Sequence, residues 1–77
     1  MCVKYTLHML VQNNLKSHRL DQKINQTEMA KLCNVSRQTI HSIEVAKYVP
    51  SVELALKIAH ILDLSVEDIF ELKGEEL

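Results

Sequence analysis

The sequence of 77 residues is short of the residues on which several kinds of protein depend. It has one glycine, so there is no glycine-rich loop to wrap a phosphate chain in backbone N–H groups. Its two cysteines, Cys2 and Cys33, stand far apart with no CxxC pair, which removes the usual thiolate metal site and redox motif. Cys33 reads as a small core residue and Cys2 as a free thiol, with a disulfide between them as the alternative. The four histidines, at 8, 18, 41 and 60, are scattered, and nothing places a nucleophile beside a base or gathers carboxylates in a cleft. An enzyme is not expected, and neither a cofactor nor a metal is. No apolar run approaches a membrane span or the core of a signal peptide. With the cysteine usage, this points to a reduced, cytoplasmic protein.

What remains is helix-forming. Hydrophobic residues make up 47% of the chain, and with one glycine and one proline it is neither disordered nor of low complexity. A chain this short buries a modest share of its surface and gains from a partner. The net charge of −1 hides a division. Residues 1–62 carry eight Lys/Arg against four Asp/Glu, a balance of +4, and residues 63–77 carry one Lys against six acids, a balance of −5. A basic front suits phosphate, with the acidic end turned away or simply solvated.

The chain is organised around Gln26 to Val45. Asn25 and Glu28 have the spacing of a capping box, which opens a helix at Gln26. Met29, Ala30, Leu32 and Cys33 form its expected buried stripe. Asn34 tolerates the left-handed conformation that ends helices, Val35 plugs the turn, and Ser36 caps the next helix. On that third helix Ile40 and Ile43 define the buried direction. Gln38, Ser42 and Val45 point roughly opposite, with Arg37 and His41 on the flanks. Ala30 is small enough to let a second helix cross closely above it.

These residues carry a resemblance. Asn13 to Lys16, Arg19, Asn25 to Ala30, Val35 to Ile40, Ile43-Glu44, Lys47-Tyr48 and Pro50 to Ala59 are similar in order and spacing to the Cro/CI-like (XRE-type) helix-turn-helix regulators, over about 13–72. The resemblance implies an all-α, five-helix, lambda-repressor-like domain that binds double-stranded DNA as a homodimer, most often as a transcriptional repressor. It also implies that Arg19 and Glu44 form a buried ion pair fixing the angle of the third helix. A DNA-binding antitoxin, or another regulator held by a protein partner, shares the fold and stands as the alternative.

In such a protein the third helix enters the major groove. Gln38 suits adenine N6/N7, and Arg37 suits guanine or phosphate according to the tilt of the helix. Ser42 is a permissive polar contact and Val45 can touch a thymine methyl. Gln26, Ser36, Thr39, Lys47 and Tyr48 are the expected phosphate contacts. Each of these polar residues has a plainer reading as solvated surface, and the shared direction of Gln38, Ser42 and Val45 argues against it. Where the family usually has Asn-Gly, this chain has Val45-Ala46, so either the turn is strained or the helix runs on.

The remaining expectations concern the ends. Residues 1–12 form an N-terminal extension with a strand-like alternation, and Leu10 to Gln12 can pair with Phe70 to Lys73 in a small antiparallel sheet. Met1 to His8 are open to three readings: an extended strand, an unordered leader, or residues upstream of a start at Met9. The first helix is expected over Asn13 to Asp21, with His18 as a partly buried, hydrogen-bonded imidazole. The fourth helix follows Ser51 and is apolar on most sides, as the central core helix. Ser65 and Asp68 form a capping box for a short fifth helix. Leu62, Leu64, Val66 and Ile69 are the expected dimer interface, unless they close the core of the chain itself. Residues 73–77 read as an acidic tail.

Overall fold

The computed structural model describes residues 9–74, and the readings of Met1 to His8 and of Cys2 lie outside them. The order of elements is strand β1 (Met9–Asn13), helices α1 (Leu15–Asp21), α2 (Gln26–Cys33), α3 (Arg37–Glu44), α4 (Val52–Leu62) and α5 (Val66–Ile69), and strand β2 (Phe70–Gly74). Five helices and a two-stranded antiparallel sheet make the domain, as the sequence leads one to expect. The register runs from Met9 opposite Gly74 to Asn13 opposite Phe70. Lys73 and Gly74 are the last two residues of β2.

Side chains start the helices. Asn25 and Glu28 exchange hydrogen bonds across the first turn of α2, at 2.8 and 3.0 Å. Ser36 Oγ accepts the Thr39 N–H at 3.1 Å, and Ser51 Oγ accepts that of Leu54 at the same distance. Ser65 and Asp68 complete the second box at the head of α5. Residues with positive φ end three of the helical stretches: Asn34 at 61°, Ala46 at 62° and Asp63 at 58°. For Asn and Asp this costs little, but the alanine at 46 settles the open question about the turn after α3: the chain turns there and holds the strain. Lys23, at φ 60°, makes a fourth such turn that no residue preference announced.

Leu15, Met29, Cys33, Ile40, Ile43, Ile58 and Leu62 fill the centre, with Ile24, Val35 and Phe70 packed around them. Ala30 is buried at the close approach of α2 to its neighbours. Three expectations need correction. Leu32 is 59% exposed, because at 100° per residue it lies about 100° from the centre of the stripe made by Met29, Ala30 and Cys33. Helix α4 buries Leu54, Ala55, Ile58, Ala59 and Leu62 but leaves Val52 and Leu56 in solvent, so it is a one-sided core helix. Helix α1 opens at Leu15 and not at Asn13, because Asn13 pairs with Phe70 in the ribbon.

Of the four residues expected at a dimer interface, Leu62 and Ile69 are 1% and 2% exposed within the single chain. Leu62 continues the buried i, i+4 row of Ile58, and Ile69 seats α5 on the core, so both close the chain's own interior. Leu64 and Val66 are half-buried at its edge.

Candidate nucleic-acid interface

Helix α3 is anchored by its back. Ile40 and Ile43 are fully buried one turn apart, which fixes the distance of the helix from the core. Its front is free. Gln38 is exposed and Ser42 half-buried, and the Gln38 amide donates to Ser42 Oγ at 3.4 Å. Arg37 and His41 are exposed on the flanks, and Val45 is 46% exposed just beyond the last turn. The loop after α3 returns beside this front. Lys47 and Tyr48 line, with Gln38, Thr39 and Ser42, a shallow depression of ≈ 250 Å³. Three hydrogen-bonding side chains, an ammonium and a phenol are thus gathered on one open surface.

At the head of α3, Ser36 Oγ and Thr39 Oγ1 are 2.9 Å apart. One hydroxyl hydrogen serves that contact, and the second is left for an outside acceptor. Both side chains lie at the N-terminal end of the helix, where its dipole favours an anion.

The ion pair implied by the resemblance is present in the fold. Arg19 Nε donates to Glu44 Oε2 at 2.7 Å and Arg19 Nη2 to Oε1 at 3.2 Å, a two-pronged contact between side chains that are 5% and 3% exposed. The third nitrogen of Arg19 donates to the Ile24 carbonyl at 2.7 Å. Every prong of the guanidinium is used, as a buried arginine requires.

Gln26 stands at the head of α2. Its amide nitrogen donates to Glu44 Oε1 at 3.0 Å and lies 3.5 Å from His41 Nδ1. The amide nitrogen of Gln26 is thus engaged by Glu44 across the motif. The backbone N–H groups of Gln26 and Thr27 still open α2. A second unanticipated contact joins Asn13 Nδ2 to the Ile43 carbonyl at 2.8 Å. Neither contact has a signal in the sequence, since the partners are 18 and 30 residues apart and not linked by any periodicity.

His18 meets its expectation: half-buried, with Nε2 3.3 Å from the Asp68 carbonyl. The Cys33 thiol is buried, and burial pushes its pKa up while the ammonium of Lys57 draws it down. That thiol has little thiolate character. No group of three or more His, Cys, Asp and Glu that could hold a metal ion occurs among the described residues. No helix among them is long and apolar enough to cross a membrane.

A helix-turn-helix family matches residues 15–69. The HTH-type transcriptional regulator MJ0272 of Methanocaldococcus jannaschii is 44% identical over 66 residues, covering 86% of this chain and the whole of that protein. Among solved structures, the N-terminal DNA-binding domain of SinR from Bacillus subtilis superposes with a TM-score of 0.63 at 28% identity, over 69% of this chain and 78% of that one. A solved structure from Bacteroides fragilis gives a TM-score of 0.74 at 19% identity, over 80% of this chain and all of that one, a likeness of fold.

Proposed function

The chain belongs to the XRE-type helix-turn-helix family of DNA-binding transcriptional regulators, and from that premise we propose that it acts as a homodimeric repressor reading a pseudo-palindromic operator. One observation carries this reading. Gln38 and Ser42 stand free on a helix whose opposite side is locked by Ile40 and Ile43, beside the exposed Lys47 and Tyr48. In the major groove Gln38 pairs with adenine through N6 and N7, Ser42 adds a polar contact, Val45 meets a thymine methyl, and Arg37 takes a guanine or a phosphate. Lys47, Tyr48 and the spare hydroxyl of Ser36 or Thr39 hold the phosphates. Gln26 contributes through its backbone N–H at the head of α2, with its side chain occupied by Glu44.

Two copies, joined at the edge marked by Leu64 and Val66, set the recognition helices about 34 Å apart, one turn of the duplex. Repression then follows from occupying a promoter in the cytoplasm.

Selection of binding sites from a random DNA pool tests this. The expected product is an inverted repeat with half-site centres about 10 base pairs apart. A pool that converges on no sequence overturns the proposal, and convergence on a single asymmetric site overturns the dimer.

A further inference from the structure

The recognition helix α3 has eight residues, and its buried contacts are two isoleucines. Apolar burial is non-directional: it holds Ile40 and Ile43 down but resists rotation or sliding of the helix about them only weakly. Direction must come from polar contacts, and α3 has them at its C-terminal end. Arg19 grips Glu44 from α1, and the side chain of Asn13 reaches the Ile43 carbonyl at 2.8 Å.

We propose that Asn13 is a positioning residue for DNA reading: it ties the β-ribbon and the head of α1 to the C-terminal end of the recognition helix and so sets the tilt at which Gln38 and Ser42 meet the bases. The inference rests on the reading of α3 given under Proposed function.

Asn13 serves three elements at once. Its backbone pairs with Phe70 in the ribbon. Its Oδ1 accepts the Leu15 N–H at 3.1 Å, supplying the first turn of α1 with a partner that Asn14 does not provide. Its Nδ2 donates to Ile43. That carbonyl belongs to the last turn of α3, where carbonyls lack helical partners, and it also receives the Ala46 N–H at 3.0 Å. The same group thus joins the end of the recognition helix, the strained turn at Ala46 and the ribbon. Only a carboxamide of this length supplies both an acceptor for Leu15 and a donor for Ile43. Aspartate keeps the acceptor and loses the donor, while serine keeps a short acceptor and cannot span to α3.

This difference makes the test. Asn13→Asp and Asn13→Ser are compared with the wild type on two DNAs: the site that the wild type selects from a random pool, and a shuffled duplex of the same length. The readout is the ratio of the two affinities. Partial unfolding, or the added charge of aspartate, weakens both DNAs together and cancels in the ratio, so a residue needed only for stability leaves it unchanged. The expected result is a loss of about tenfold in the ratio for both variants, the effect of one hydrogen bond to a carbonyl. In the DNA-free protein, amide exchange at Ala46 and Lys47 should accelerate by a similar factor, with Met29 and Ala30 in α2 unchanged. An unchanged ratio in the folded variants, or unchanged exchange at Ala46, overturns the proposal. If the wild type selects no sequence, the functional reading has failed instead, and the exchange measurement decides the positioning role alone.

Discussion

Arg19 and Glu44, twenty-five residues apart, meet through two hydrogen bonds, 2.7 and 3.2 Å long, in a place nearly closed to water. Glu44 also takes the Gln26 amide. One carboxylate therefore joins α1, the head of α2 and the end of α3. The two helices of the DNA-binding motif are held to each other by it and to the rest of the domain by Arg19.

Removing one partner of such a pair strands the other charge. Glu44→Ala should lower the unfolding free energy by about 3–5 kcal/mol. Urea denaturation followed by circular dichroism checks this, and a midpoint equal to that of the wild type contradicts the buried pair.

Ala46 sits at φ 62°, where a side chain with a Cβ is strained and glycine is not. Ala46→Gly should stabilise the domain by about 1 kcal/mol, net of glycine's greater freedom in the unfolded chain. For a domain of this size that is a rise in Tm of about 4–8 °C. Ala46→Val, with a branched side chain in the same turn, should lower it.

Gln38→Ala should relax the preference at one base position in each half-site, at about 1–3 kcal/mol, and leave the others as they were. Lys47→Ala should weaken all sequences alike and reduce the slope of log K against log salt by about 1. Filter binding over a salt series with single-base operator variants separates the two. The wild-type slope itself should be shallow, because α3 and the loop after it carry few cations.

Asp68 titrates below the ordinary carboxylate range because the Ser65 backbone N–H, then the Ser65 hydroxyl, bonds to its ionised form, with His18 adding a smaller attraction. The folded pKa is depressed, so the unfolded chain binds the proton more readily. The contribution to stability is present above the unfolded value, about 3.9, and is lost as pH falls through the lower folded value. Asp68→Asn should flatten the acid limb of the stability profile below pH 4 and leave its shape above pH 6 unchanged. Thermal melts across pH 2–7 give the comparison.

If the half-buried Leu64 and Val66 form the contact between copies, Val66→Glu should shift sedimentation from dimer to monomer while far-ultraviolet dichroism keeps its helical form. Operator occupancy at low saturation should then rise with the square of protein concentration and no longer linearly. A dimer that survives the substitution moves the interface elsewhere.

The sequence by itself determined the local events. Capping residues at 25, 36, 51 and 65, the breaks at Asn34 and Asp63, and the pairing of Ile40 with Ile43 are all short-range, and each follows from a side chain's reach to its own backbone or from the 100° step of the helix. The order of helices and the direction faced by Gln38 were legible for that reason, as was the ribbon, whose two segments each carry their own pattern. Tertiary structure alone decided the rest. Leu62 and Ile69 read as spare apolar surface until α4 and α5 were packed and the core absorbed them. The Gln26 amide meets Glu44, 18 residues on, at 3.0 Å, a contact that no local pattern announces. Asn13 read as the start of a helix until the ribbon placed it against Ile43. Hydrophobicity and capping are properties of a residue and its near neighbours, whereas a hydrogen bond between residues 30 apart exists only after the chain has closed around it.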